Sequence, residues 1–159
     1  MAISVLELDD FESDNFNLIA IKTSVQSYRL AYLINQVLEI SLEKSEFSLD
    51  LTKFGIKTSF EVFVYEDKTN QLYWSLISNY SYQTILGYTK ELELIEDNEV
   101  SDIHLIPEYN DVQFFLKIEE TQNTKTIQEL FRKLEKISIL SNIYEIDKNT
   151  LVSINNLLF

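Results

Sequence analysis

A chain of 159 residues, 45% of them hydrophobic, is long enough for one domain with a substantial core, since about 70% of the unfolded surface is buried at this size. It has no cysteine, which excludes disulfides, thiolate metal centres and cysteine nucleophiles within the chain, and its two glycines, Gly55 and Gly87, cannot write a glycine-rich phosphate loop. The net charge of −13 disfavours nucleic-acid phosphates, and no apolar run approaches the ~20 residues of a membrane-spanning helix.

The opening residues, Met1 to Glu7, lack the basic and long apolar regions of a secretion signal. A cytoplasmic protein with a single domain over residues 1–159 is therefore expected. Val5–Leu8 reads as a short element broken by Asp9-Asp10. Phe16–Ile21 is dense enough in apolar residues for a central strand. Ser24 is placed to cap a helix over 25–39, whose stripe is Leu30, Ile34, Val37 and Ser41, widened by Leu33; Arg29 and Gln36 lie off its centre. Phe47–Leu51 alternates as a half-buried strand does, and Gly55 marks a turn. Phe60–Glu66 and Leu72–Tyr80 read as strands joined by a hairpin over Asp67–Asn70.

Residues 84–102, with Gly87, form an edge strand or a long loop. Ile103–Ile106 reads as a strand ended by Pro107, the only proline, followed by a hairpin over Glu108–Asp111 and a strand over Val112–Ile118. Ile127, Leu130, Phe131, Leu134 and Ile137 make one face of a helix over 124–137. Thr126 and Glu129 fit a capping box there, with Thr124 as a rival start. Ile139–Ile146 reads as a last strand, and 148–159 as a tail with an apolar end. These elements predict an α+β fold, with one mostly antiparallel sheet and two helices packed on one face.

The charge is concentrated. Residues 7–14 hold Glu7, Asp9, Asp10, Glu12 and Asp14 with no base. Residues 91–111 hold Glu91, Glu93, Glu96, Asp97, Glu99, Asp102, Glu108 and Asp111, again with no base, and the two stretches account for the whole net charge. Solvated acidic loops and a docking surface for a basic protein both fit this pattern.

The stretch Ile106-Pro107-Glu108-Tyr109-Asn110-Asp111-Val112 and the strand after it resemble the signature of the IPExxxVDY family of small bacterial proteins. Leu6–Asp10, Tyr28-Arg29-Leu30, Leu33-Ile34-Asn35, Ile146-Asp147 and Asn156–Phe159 extend the resemblance over nearly the whole chain. It implies a bacterial source and an uncharacterised role, with genes for a double-strand RNA nuclease and pyruvate kinase as neighbours. The family's Asp and Tyr after the valine are Gln113 and Phe114 here. No acid–base role carries over to those positions, and a kept aromatic ring points to packing.

Single residues add little chemistry. His104 is the only histidine and has no nucleophile motif beside it. Glu96-Asp97-Asn98-Glu99 with Asp102 lacks the glycine and spacing of a calcium loop, so neither a metal nor a cofactor is expected. Arg29 either clamps an anion with its planar fork or pairs with an acid such as Glu108 or Asp10. Glu108 either caps backbone N–H groups or faces a cavity. Alternation puts Tyr73 and Trp74 on opposite sheet faces, so one of these rings lies away from the helices unless another layer covers it, which is an anchor candidate for a partner. Arg29, Trp74, His104, Glu108 and Tyr109 are thus the candidate partner or ligand surface. The expectation is a non-catalytic interaction or regulatory module that binds another protein, with a homodimer as an open option. The alternative is a small-molecule-binding domain, or an enzyme with a pocket near Arg29, His104 and Glu108.

Overall fold

The computed structural model describes residues 16–53, 56–80, 82–85, 104–120 and 125–157. The Val5–Leu8 element, the acidic residues 7–14 and residues 86–103 lie outside them. In chain order the elements are β1 (Phe16–Lys22), α1 (Ser27–Leu38), β2 (Glu43–Lys44), β3 (Leu49–Lys53), β4 (Ile56–Phe60), β5 (Val62–Asp67), β6 (Leu72–Ser78), β7 (Tyr82–Ile85), β8 (Phe114–Glu120), α2 (Lys125–Leu134) and β9 (Asn142–Ile146). Short 3-10 turns lie at Pro107–Tyr109, Lys148–Thr150 and Ile154–Leu157.

The fold is α+β. Six strands form one sheet in the order β2-β5-β6-β8-β1-β9, and β3-β4-β7 form a second, smaller one. Every pairing is antiparallel. Period-two alternation sorts the large sheet into two apolar faces. On one face Ile19, Ile21, Trp74, Leu76, Leu116 and Ile118 meet Leu30, Ala31 and Ile34 of α1 and Ile127, Leu130 and Leu134 of α2. Both helices thus cover the same face, as their single apolar stripes require.

The other face carries Leu18, Ala20, Val62, Ile77 and Phe115, and is covered by Leu105, Ile106 and Val112 before β8 and by Leu151 and Leu157 after β9. A sheet buried on both sides explains why β1 reads as a nearly continuous apolar run. The expected tail is therefore a packed segment. Lys117, buried on this second face, donates to the Leu157 carbonyl at 2.7 Å and pairs with Glu119 at 3.2 Å.

Several local expectations change. The backbone cap of α1 is Gln26, not Ser24, and its side chain makes no capping bond. α2 already runs at Lys125, so Thr126 is inside the helix and not its cap. Leu105 and Ile106 form a bend instead of a strand, and Pro107–Tyr109 makes a 3-10 turn instead of a hairpin. Proline at the first turn suits that geometry, because its missing N–H has no partner to lose there. β8 starts only at Phe114, so Val112 packs on the second face, opposite Phe114 and Leu116. Trp74 is only 5% exposed and faces the helices, which corrects its assignment to a partner surface. Its ring is packing, not an anchor.

Candidate functional site

Antiparallel pairing gathers several strand ends at one end of the large sheet. Ile21 of β1 pairs with Phe114 of β8, Ser78 of β6 also pairs with Phe114, Val62 of β5 pairs with Ile77, and Lys22 pairs with Asn142 of β9. α1 starts immediately beyond this end. An open cleft of about 1060 Å³ lies there. Its base is Phe63 and Phe114, both buried, and its walls include Thr23, Ser27, Tyr28, Ser78, Tyr80 and Gln113.

The walls are held by side chains that reach backbone. Gln113 Oε1 accepts from the Thr23 N–H at 2.8 Å, which ties the loop before α1 to the loop before β8. Thr23 Oγ1 accepts from the Val25 N–H and donates to the Ile139 carbonyl at 3.3 Å. Gln113 Nε2 donates to the Tyr80 hydroxyl at 3.3 Å. Gln113 is thus a positioning amide at the cleft.

Four charged groups line the cleft, two of each sign. Lys22 is ion-paired with Asp111. This hydrogen bond holds the Lys22 ammonium above the usual lysine pKa, against the opposing effect of burial, and holds the Asp111 carboxyl below the usual carboxylate range. Lys44 Nζ lies 3.4 Å from Glu61 Oε2, and Ser27 Oγ donates to Glu61 Oε1 at 3.2 Å. Glu61 sits where the chain passes from β4 in the small sheet to β5 in the large one. Its carbonyl accepts from the Ser78 N–H at 3.0 Å, so its backbone is fixed.

The loop from Leu105 to Val112 is a scaffold for this end of the molecule. Asn79 is fully buried, at 0% exposure. Its amide donates to the carbonyls of Tyr109 at 3.0 Å and Val112 at 2.9 Å and accepts from the Ile106 N–H at 2.8 Å. Glu108 Oε2 accepts from the N–H groups of Val152 at 2.7 Å and Ser153 at 2.8 Å. Tyr109 meets Phe115 edge-on, with ring centroids 6.5 Å apart. The His104 ring packs against Tyr80 at 5.1 Å, just outside the cleft. Arg29 stands exposed on α1, beside cleft-lining Tyr28. None of Arg29, His104 and Glu108 lines the cleft, so the cavity that forms is not the one expected around those three.

Sequence reasoning missed Glu61, Tyr80, Asn79 and Gln113 as organising residues. The one available signal was Tyr28, a large ring at the start of α1 and off its apolar stripe. Among the described residues no group of three or more His, Asp and Glu side chains could hold a metal ion. Comparison with known proteins returns no match, whether to a family model, a curated protein or a solved structure.

Proposed function

We propose that this chain is a non-catalytic protein-interaction module that receives a segment of a partner protein in the cleft at the start of α1. One observation carries the reading. Of the six large hydrophobic side chains exposed among the described residues, Tyr28, at 66%, and Tyr80, at 44%, line this one cleft. Exposed Tyr32 stands one helical turn beyond Tyr28, and the carbonyl of exposed Ile139 is bonded to cleft-lining Thr23. Tyrosines beside an apolar floor are the composition of binding hot spots, because each ring offers large contact area and a hydroxyl at little entropic loss. The cleft is open, which would leave much of a small ligand wet, whereas a protein segment covers it better. The resemblance to the IPExxxVDY family supports a bacterial source for this module.

Panning a random peptide display library on the whole chain tests the reading. Selected peptides are expected to perturb the amide resonances of Thr23 to Tyr28, Ser78 to Tyr80 and Asp111 to Phe114. Tyr80→Ala is expected to weaken them by about ten-fold, the ~1.4 kcal/mol of a modest hot spot. Failure to select peptides, or perturbations confined to another surface, would overturn the proposal.

A further inference from the structure

We propose that the cleft recognises an arginine of the partner segment, whose guanidinium takes the place of Lys44 at Glu61. This inference rests on the cleft being the binding site and adds the chemistry of what enters it. The Glu61 side chain is 16% exposed whereas that of Lys44 is 63% exposed. One partner of the pair is therefore anchored in the wall, by its backbone and by Ser27, while the other reaches in from solvent. Their separation of 3.4 Å is long for a charge-assisted hydrogen bond, which usually measures about 2.7–2.9 Å. An exposed lysine at that distance contributes little and exchanges readily.

A guanidinium is a better occupant of this position than the ammonium it displaces. Its planar fork matches a carboxylate edge with two parallel N–H donors, and it sheds water more easily than an ammonium does. Tyr28 and Tyr80 line the same cleft, and guanidinium groups stack favourably on tyrosine rings. The apolar base of Phe63 and Phe114 suits the aliphatic stem. Charge complementarity selects the occupant. A chain of net charge −13 attracts a cationic segment, repels anionic ligands, and repels a second copy of itself.

The probes are two acetylated, amidated pentapeptides, Gly-Gly-Arg-Gly-Gly and its citrulline analogue, which keeps the shape and removes the charge. Amide shift titrations of the whole chain read their affinities. The arginine peptide is expected to perturb Ser27, Tyr28, Glu61 and Tyr80 saturably, with the citrulline peptide roughly ten-fold weaker. Glu61→Gln is expected to shrink the difference between the two peptides to the part set by the overall charge of the chain. Lys44→Met, which removes a competing cation and leaves Glu61 itself unchanged, is expected to tighten the arginine peptide several-fold, and it keeps the test decisive if Glu61→Gln fails to fold. Equal binding of the two peptides, or an arginine affinity unchanged by Lys44→Met, would overturn the arginine assignment. Neutral library peptides that map to the cleft would overturn it too, while leaving the interaction site intact. Concentration-dependent dimerisation that perturbs the cleft without peptide would overturn both.

Discussion

At the scale of single residues, the loop from Leu105 to Val112 is held by two polar side chains that do different things. Asn79 satisfies three backbone groups in a fully buried setting. Asn79→Ala leaves those groups without partners and is expected to destabilise the fold by about 3 kcal/mol, read from urea unfolding. Glu108 lies near the surface and holds the segment after β9. Burial pushes its carboxyl pKa up, but hydrogen bonds from its own N–H and from Ser153 and Val152 outweigh that, and the net shift is downward from 4.5. A depressed folded-state pKa means that folding favours the ionised form. That contribution is present above the unfolded value and is lost as pH falls through the folded one. Glu108→Gln is therefore expected to lower the Tm at about pH 7 and to differ less and less from the parent towards about pH 3. A Tm difference that does not change with pH would show that the charge plays no part.

At the scale of elements, the helices were legible because burial on one face leaves a local period, and strands of the large sheet such as β1 because burial on both faces leaves an apolar run. Leu130 shows how far that signal reaches. It falls on the predicted stripe of α2 and is 3% exposed against the sheet. Leu130→Ala is expected to destabilise the protein by about 2–5 kcal/mol in chemical unfolding, and a loss near zero would mean that α2 does not pack through this face. The second sheet was not legible. Phe60 and Val62 are both buried in one cluster, two residues apart, and Phe60-Glu61-Val62 alternates as one continuous strand would. Glu61, where the chain changes sheets, interrupts nothing in that pattern, because strand membership is decided by non-local partners such as Leu49 for Phe60 and Ile77 for Val62. The site escaped for the same reason. Lys22, Glu61, Tyr80 and Gln113 are distant in sequence and meet only because antiparallel pairing brings their strand ends together. The loop before β8 misled in a different way. Ile106 and Val112 look like the ends of paired strands, but the intervening 3-10 turn and Asn79 route both to the second face.

At the scale of the whole molecule, charge and cleft act over different distances, and salt separates them. The cleft is balanced, with Lys22 and Lys44 against Asp111 and Glu61, while the chain as a whole carries −13. An incoming arginine therefore feels a long-range attraction from the entire chain and a short-range contact at one carboxylate. The first term is screened strongly as the Debye length falls from about 10 Å at 0.1 M salt to about 3 Å at 1 M. The second is made within hydrogen-bond distance and is screened far less. Raising salt from about 0.05 to about 0.5 M is accordingly expected to weaken the arginine peptide progressively and to leave the citrulline peptide nearly unchanged. Glu61→Gln removes only one of 26 acids, so its plot of log Kd against log salt should run parallel to the parent's and lie above it. Converting Glu91, Glu93, Glu96, Asp97, Glu99 and Asp102 to their amides removes six charges and leaves the Glu61 carboxylate itself unchanged. That variant should show a flatter slope that converges on the parent at high salt. Titrations of the three proteins across the salt series read all of this directly. A salt-insensitive parent would remove the long-range field from the account, and convergence of Glu61→Gln with the parent at high salt would show that Glu61 acts only as part of that field.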